Sequence, residues 1–426
     1  MNYQALKQRQ PESAGRILNS ENCIIVGASH AGTTLALQLR RAGWQGAIHL
    51  VSNENELPYQ RPPLSKDLLA GTKELEQILL RPQKLYEDND INLLLGTEVM
   101  SIDPAAREVE LSNNAVMAYN TLALCTGARA RRIALGEGIE NLFYIRTARD
   151  VLELKSKVRV GKKAVIIGGG YIGLETAAVL ATSGMDVVVL EMAERILQRV
   201  TGELMSSFIS ELHHKHNVRI ETFTNIVSIT EDGGTVNLVC DGGDTYQGDV
   251  VIVGVGIEPN IKLAETAGVE LDNGIQVNEF LQTSNAHIYA AGDCVNHYSP
   301  LYQRRIRLES VQNATDQAKT VAANICGQRQ VYDSLPWFWS DQYNIKLQMA
   351  GLNTDYDKLV LRGSVDKAET KGFALFYLNQ ERLIAADCVN RPKEFMVSKQ
   401  LIKEGAQVRP NVLADESIEP AEFGAK

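Results

Sequence analysis

Two short glycine-rich stretches are the residues in this sequence best suited to chemistry. Gly168-Gly-Gly170-Tyr171-Ile172-Gly173 spells a complete G-x-G-x-x-G, and Gly27-Ala-Ser29-His-Ala31-Gly32 spells the same pattern with Ser29 in the middle position. The chemistry is anion binding. A pyrophosphate needs backbone N–H groups at a helix N-terminus, where unpaired donors and the helix dipole favour negative charge, and a side chain there would hold it away. The outer glycines permit the tight turn and the close packing of helix on strand, and a small serine still serves in the middle.

The residues after each turn carry the second half of the chemistry. Past the complete fingerprint, Asp186-Val-Val-Val-Leu190 ends in Glu191, an acid placed to accept hydrogen bonds from a ribose 2′-OH and to repel a 2′-phosphate. NADH is therefore expected over NADPH, with Arg195 near enough to soften the preference. Past the first turn, Ala47-Ile-His-Leu-Val51 leads to Ser52-Asn53-Glu54, where Asn53 or Glu54 takes the ribose position. Pro58-Tyr-Gln-Arg61-Pro-Pro-Leu-Ser-Lys66 then reads as a proline-stiffened segment that sets Arg61 and Lys66 in place rather than as a regular element.

The elements that position these groups are legible from hydrophobic patterning. Cys23–Val26 and Ala164–Ile167 are apolar strands, and helices follow from Thr33 to Arg41 and from Leu174 to Ser183. Leu75 to Asp90 reads as a surface helix, Ile91 to Leu95 as a strand leading to Thr97-Glu-Val99, and Val99 to Tyr119 as an antiparallel meander. Two buried strands end in glycine beside the turns, Leu122 to Thr126-Gly127 and Val250 to Gly256. An apolar strand also delivers Asp293 at its carboxyl end, where open α/β sheets bind ligands, and a helix from Ser310 to Cys326 follows. From Val331 the texture becomes antiparallel strands, with a helix around Phe395 to Lys403.

The expected fold class is α/β, with two Rossmann-like dinucleotide-binding domains and a C-terminal α+β domain. The boundaries read as a loose extension at 1–21, a first domain at 22–128 and 258–330, a second at 129–257 and a third at 331–426. A chain of 426 residues is long for one core, which agrees with that division. Net charge of −9 argues against nucleic-acid or anionic-membrane binding, which need a basic surface. No run has the length of a membrane span, and Lys7, Arg9, Pro11 and Glu12 deny the first twenty residues a signal-peptide core. A soluble, cytoplasmic protein is expected. Six scattered cysteines, without a close pair or zinc-type spacing, read as small buried residues, and no metal site is expected.

Taken together, Arg61-Pro-Pro-Leu-Ser-Lys66, Tyr144-Ile-Arg146-Thr, Gly168 to Glu175, Gly256-Ile-Glu-Pro-Asn260, Ala291-Gly-Asp-Cys294, Glu309-Ser-Val311 and Pro336-Trp-Phe-Trp-Ser-Asp-Gln342 resemble the FAD-dependent ferredoxin reductases of oxygenase systems. That resemblance implies a glutathione-reductase-like architecture, FAD and NADH as cofactors, and a [2Fe–2S] ferredoxin that feeds a cytochrome P450 or a ring-hydroxylating dioxygenase. It implies FAD contacts from Ala31, Asn53, Lys66, Val99, Arg146, Asp293 and Val311, and a Lys66–Glu175 pair beside flavin N5. It implies further that Tyr171 covers the nicotinamide pocket and that Trp337 and Trp339 lie beside the flavin. Ser29 and Asn53 depart from the usual glycine and acid.

Two other readings share the fold. An NADH oxidase or peroxide reductase would want a redox cysteine in the early flavin segment, and none stands between Gly32 and Gly96. A redox-sensing scaffold like apoptosis-inducing factor binds nucleic acid, against the acidic balance here. Arg304, Arg305 and Arg307 form a basic run suited to docking an acidic ferredoxin.

Overall fold

The computed structural model describes residues 21–424. The extension expected at 1–21 therefore lies outside the described residues apart from Glu21.

Continuous Val/Ile/Leu runs bury on both faces, which is the signature of parallel strands covered by helices. The first parallel sheet has the order Ile288–Ala290, Thr121–Leu124, Asn22–Val26, Ala47–Val51, Ile91–Leu94. Ile24, Ile25, Leu122 and Ile48 are wholly buried there, each stabilising the fold by roughly 1.5–3 kcal/mol. The second parallel sheet has the order Arg219–Glu221, Asp186–Leu190, Lys163–Ile167, Val250–Val253, Leu142–Tyr144. The two sheets thus repeat one plan, strand, glycine turn, helix and strand. Where the chain crosses between them, Ala128–Ala130 pairs antiparallel with Ile257–Pro259, a two-stranded ribbon.

The third sheet is antiparallel, in the order Trp337–Gln342, Ile345–Gly351, Arg382–Val389, Phe373–Asn379, Lys358–Gly363. The helix Pro392–Glu404 packs on it. The architecture is the expected α/β class with two Rossmann-like sheets and a C-terminal α+β part.

Several local expectations change. Leu75 to Asp90 is not one helix: a 3-10 turn at Leu75–Ile78 and a helix at Gln83–Asp88 flank extended residues. Pro82 has no N–H to donate and caps the second piece with an extended backbone, while Leu80 N–H donates to Pro58 O (2.8 Å) and ties the break to the proline segment. Pro62–Ser65 forms a turn of 3-10 helix, because proline is pre-set for the first helical positions. The first meander strand begins at Val99 as expected, and Thr97 N–H before it bonds Ser52 O. Helices after the glycine turns start earlier, at His30–Arg41 and Tyr171–Thr182, so each turn hands its last residues directly to the helix. Five of the six cysteines are buried, as expected, and Cys326 is half-exposed.

Candidate functional site

At the outer positions of both turns only glycine fits. A Cβ on Gly27, whose φ is +105°, would lie 2.2 Å from Cys125 O, and one on Gly32 would lie 1.8 Å from Gly27 O. The second turn repeats this: a Cβ on Gly168 (φ +104°) would meet Gly254 O at 2.5 Å, and one on Gly173 would meet Gly168 O at 2.2 Å. Around Gly170 there is open space. The first-turn N–H groups of a helix have no partner inside it, and neither Ser29 nor Gly170, the residues capping these two helices, supplies a side-chain cap. Each turn therefore offers unpaired donors at close backbone approach, which fits a dinucleotide pyrophosphate.

Around the first turn the sequence-predicted residues converge. Arg61 pairs with Glu54, touches Ser29 Oγ through Nε (3.3 Å) and donates to Arg146 O (3.0 Å). Tyr59 stands in the same cluster, bonded to Glu54 and accepting the Ala148 N–H at 2.9 Å. Arg146 bridges to Asp293 at 3.2 Å, and its guanidinium faces Gly127. Thr126 and Asn260 lock the two crossing segments by reciprocal bonds of 2.7 and 2.9 Å. Ala31 backs on Gly292, and Val311 opens the Val311–Ile325 helix that packs against His30–Arg41. Val99 is buried in the first core. Of the two ribose candidates, Glu54 is engaged by Arg61 and Tyr59, whereas Asn53 is exposed and makes no side-chain hydrogen bond among the described residues. His30, unremarked in the sequence, is buried in the cradle; burial, then Arg61 and Arg146, lowers it to about 4 and keeps it neutral.

Around the second turn, Glu191 Oε2 accepts the Gly169 N–H at 2.6 Å and Oε1 the Ala193 N–H at 2.8 Å, so the acid sits against the turn it follows. Arg195 is turned away, donating to Thr201 O, Ser206 Oγ and Gln198 O. Ile172 is exposed on the helix start, and Gly256 (φ +104°) lies under the guanidinium of Arg199.

The two halves meet at one carboxylate. Glu175, 3 % exposed, accepts Lys66 Nζ at 2.6 Å and Ser65 Oγ at 2.7 Å on Oε2, and Ser340 Oγ at 2.7 Å on Oε1. Two separate segments, Ser65-Lys66 and Trp337–Gln342, thus close on a side chain carried by a third. Ser65 and Ser340 went unremarked as partners, although strand alternation in Trp337–Gln342 carries the signal: Phe338, Ser340 and Gln342 share one face. That face meets the Tyr171–Thr182 helix, with Tyr171 edge-on to Phe338 at 5.3 Å and bonded to Met349 Sδ. Trp337 and Trp339 share the other face, 5.8 Å apart, with Lys399 over the Trp337 ring at 4.6 Å.

The basic run is corrected in one member. Arg304 and Arg305 are exposed, but Arg307 is 11 % exposed, and its pairing with Glu309 at 2.8 Å and its bond to Asp293 O hold it against the first site. Among the described residues, no group of histidine, cysteine and acidic side chains could hold a metal, and no helix is long and apolar enough to cross a membrane.

The sequence matches the family described as pyridine nucleotide-disulphide oxidoreductase over residues 21–318, and that described as reductase C-terminal over residues 337–422. It is 41% identical over 406 residues to putidaredoxin reductase CamA of Pseudomonas putida, covering 94% of this chain and 96% of that one. It is 36% identical over 406 residues to the anthranilate 1,2-dioxygenase system ferredoxin–NAD(+) reductase component of Burkholderia cepacia, covering 94% and 98%. Among solved structures it is similar to the reductase in the covalent putidaredoxin reductase–putidaredoxin complex, with TM-score 0.91, 40% identity and coverage of 95% and 98%. With two glycine turns of this geometry and matches over this length, the chain belongs to the pyridine nucleotide-disulphide oxidoreductase family.

Proposed function

We propose that this chain is an NADH:ferredoxin oxidoreductase, taking hydride from NADH onto FAD and passing single electrons to a [2Fe–2S] ferredoxin that feeds a cytochrome P450 or a ring-hydroxylating dioxygenase. FAD, when bound, supplies the conversion of a two-electron donor into one-electron steps. The protein supplies position and charge. The first turn, with Ala31, Arg61, Arg146, Asp293 and Val311 around it, holds the FAD, and Asn53, rather than the engaged Glu54, takes its ribose. The second turn and Glu191 hold NADH. We divide the chain accordingly, into 22–128 with 258–330 for FAD, 129–257 for NADH and 331–426 for the C-terminal domain, and place it in the cytoplasm.

The observation that carries this reading is the buried Lys66–Glu175 pair, set between the two glycine turns and closed by Ser340 from the C-terminal sheet. Held by Glu175, Lys66 keeps a cation in a site of low dielectric, where it favours an anionic, reduced ring. Tyr171 covers the nicotinamide side, and the edge strand bearing Trp339 faces the electron acceptor. Burial raises the thiols of Cys23, Cys125, Cys294 and Cys388, so these cysteines are protonated and poorly suited to exchange chemistry. That supports a carrier protein, rather than a disulfide or peroxide, as acceptor.

The test is NADH-driven reduction of a panel of [2Fe–2S] ferredoxins and rubredoxins by the yellow holoenzyme, with oxygen consumption recorded in parallel. Fast ferredoxin reduction with slow oxygen uptake is expected. Rapid oxygen uptake without a carrier would replace this reading by an NADH oxidase.

A further inference from the structure

We propose that Asp387, on the C-terminal sheet, is a positioning residue for the NADH loop 191–202 and acts through Thr201. The proposal rests on the assignment of the second glycine turn to NADH. The loop leaves the Asp186–Leu190 strand at Glu191 and ends where the helix Glu203–Lys215 begins. Its first part is folded onto the turn: Glu191 takes the Gly169 N–H, Leu197 N–H donates to Gly169 O at 3.0 Å, and Ile196 and Leu197 are buried. Leu197 holds a left-handed backbone (φ +56°), which a leucine adopts only when its surroundings impose it.

The far end of the loop is fixed by a different part of the chain. Thr201 Oγ1 donates to Asp387 Oδ2 at 2.6 Å, Tyr377 OH donates to the same oxygen at 2.7 Å, and Gly202 N–H reaches Tyr377 OH at 3.4 Å. Arg195 makes the loop one body, bonding Thr201 O at 3.0 Å and Ser206 Oγ at 2.6 Å. A shift at Thr201 therefore passes to Arg195 and to Arg199, whose guanidinium overhangs Gly256.

Asp387 is 4 % exposed and has no cation partner among the described residues. A buried carboxylate without a counter-ion is a costly way to fill space. As an anchor it has a use: charge-assisted bonds are shorter and stronger than neutral ones, and the N-terminal end of the Glu203–Lys215 helix lies beside it. The sheet that carries Ser340 to Glu175 thus also fixes the NADH loop, so both cofactor seats are referred to one rigid element.

The test uses holoenzyme carrying Thr201→Val, Thr201→Ser or Asp387→Asn. NAD+ affinity is measured by titration of the oxidised flavoprotein, and KM and kcat by NADH-driven ferricyanide reduction. Thr201→Val is expected to raise Kd for NAD+ and KM for NADH roughly tenfold, the worth of a hydrogen bond to a charged group. FAD content and kcat at saturating NADH stay within about twofold, and Thr201→Ser, which keeps the hydroxyl, restores the parent values. Asp387→Asn falls between and stands as the deciding variant should Thr201→Val not fold. Parent-like NAD+ affinity in either Thr201→Val or Asp387→Asn overturns the proposal. A parent protein that does not bind NAD+ at all would instead overturn the NADH assignment.

Discussion

Ser340 and Glu175 join the C-terminal sheet to the second glycine helix: Ser340 Oγ donates to Glu175 Oε1 at 2.7 Å, while Lys66 holds Oε2 at 2.6 Å. Each carboxylate oxygen thus has its own donor from a different segment. Removing the hydroxyl leaves the ion pair intact but frees one oxygen to rotate. Ser340→Ala is expected to lose about 1 kcal/mol of stability and to slow flavin reduction by NADH several-fold, with FAD retained. A stopped-flow rate equal to the parent's would show that the bond is packing alone.

Lys66→Met acts more severely, because it strands a buried anion. Breaking a buried pair from one side costs roughly 3–5 kcal/mol, although the 18 % exposure of Lys66 places this case at the lower end. Slower flavin reduction and a lower thermal midpoint are expected together. Lys66→Met with Glu175→Gln should recover much of the stability and little of the rate. Recovery of the rate as well would remove Lys66 from the flavin.

Cofactor preference is expected to follow from Glu191, which lies against Gly169 in the second glycine turn. NADH is expected to outperform NADPH in kcat/KM. Glu191→Gln should narrow the gap by removing the repulsion toward a 2′-phosphate, and Arg195, held by three loop acceptors, should not compensate. Equal kcat/KM for the two cofactors in the parent would dismiss this role.

How far the sequence could be read depended on whether a residue's partners were local. Gly27, Gly32, Gly168 and Gly173 were legible because their neighbours are the next strand and helix, and a 3.6-residue period names those directly. The broken Leu75 to Asp90 segment was misread because leucines continue across Pro82, and only the Leu80 bond to Pro58 shows what the break gains. Ser340 and Asp387 were illegible as partners, since each meets its counterpart more than 160 residues away in sequence. Arg307 reads as surface charge in sequence because its decisive partner, Asp293 O, comes from another strand end.

Stability should fall with acid below neutral pH. Burial lowers His213 and His297 to about 4, so each is neutral when folded and binds a proton once unfolded below its ordinary value near 6.5. The unfolded state then holds more protons, and stability declines as pH drops from about 6.5 toward 4, by roughly 1 kcal/mol per pH unit for each group. Asp387 works the other way: burial raises it to about 6, so the folded state gains a proton first and offsets part of the loss between 6 and 4. Urea midpoints of the holoenzyme should therefore fall from pH 7.5 to 5.5, and His213→Gln should flatten the profile. A midpoint constant over that range would contradict the buried neutral histidines.

Electrons must leave toward a carrier too large to enter the site, so the encounter surface should carry charge opposite to an acidic ferredoxin. Among the described residues Arg304 is exposed and tied only to Thr354 Oγ1, and Arg305 is exposed while donating to Val277 O and Asn296 O; Lys399, on the Pro392–Glu404 helix, lies over Trp337. These are cations in a chain of net charge −9, where a local basic patch stands out to an approaching anion. Exposed charges are screened beyond about 10 Å at 0.1 M ionic strength. Ferredoxin reduction should therefore weaken steeply with salt while flavin reduction by NADH changes little. Arg304→Glu should raise KM for ferredoxin several-fold with NADH kinetics unaltered, and Arg307→Gln should disturb the flavin site instead, because it frees Glu309 beside Asp293. A salt-insensitive carrier rate, or Arg304→Glu with an unchanged KM, would move the docking surface to another face of the protein.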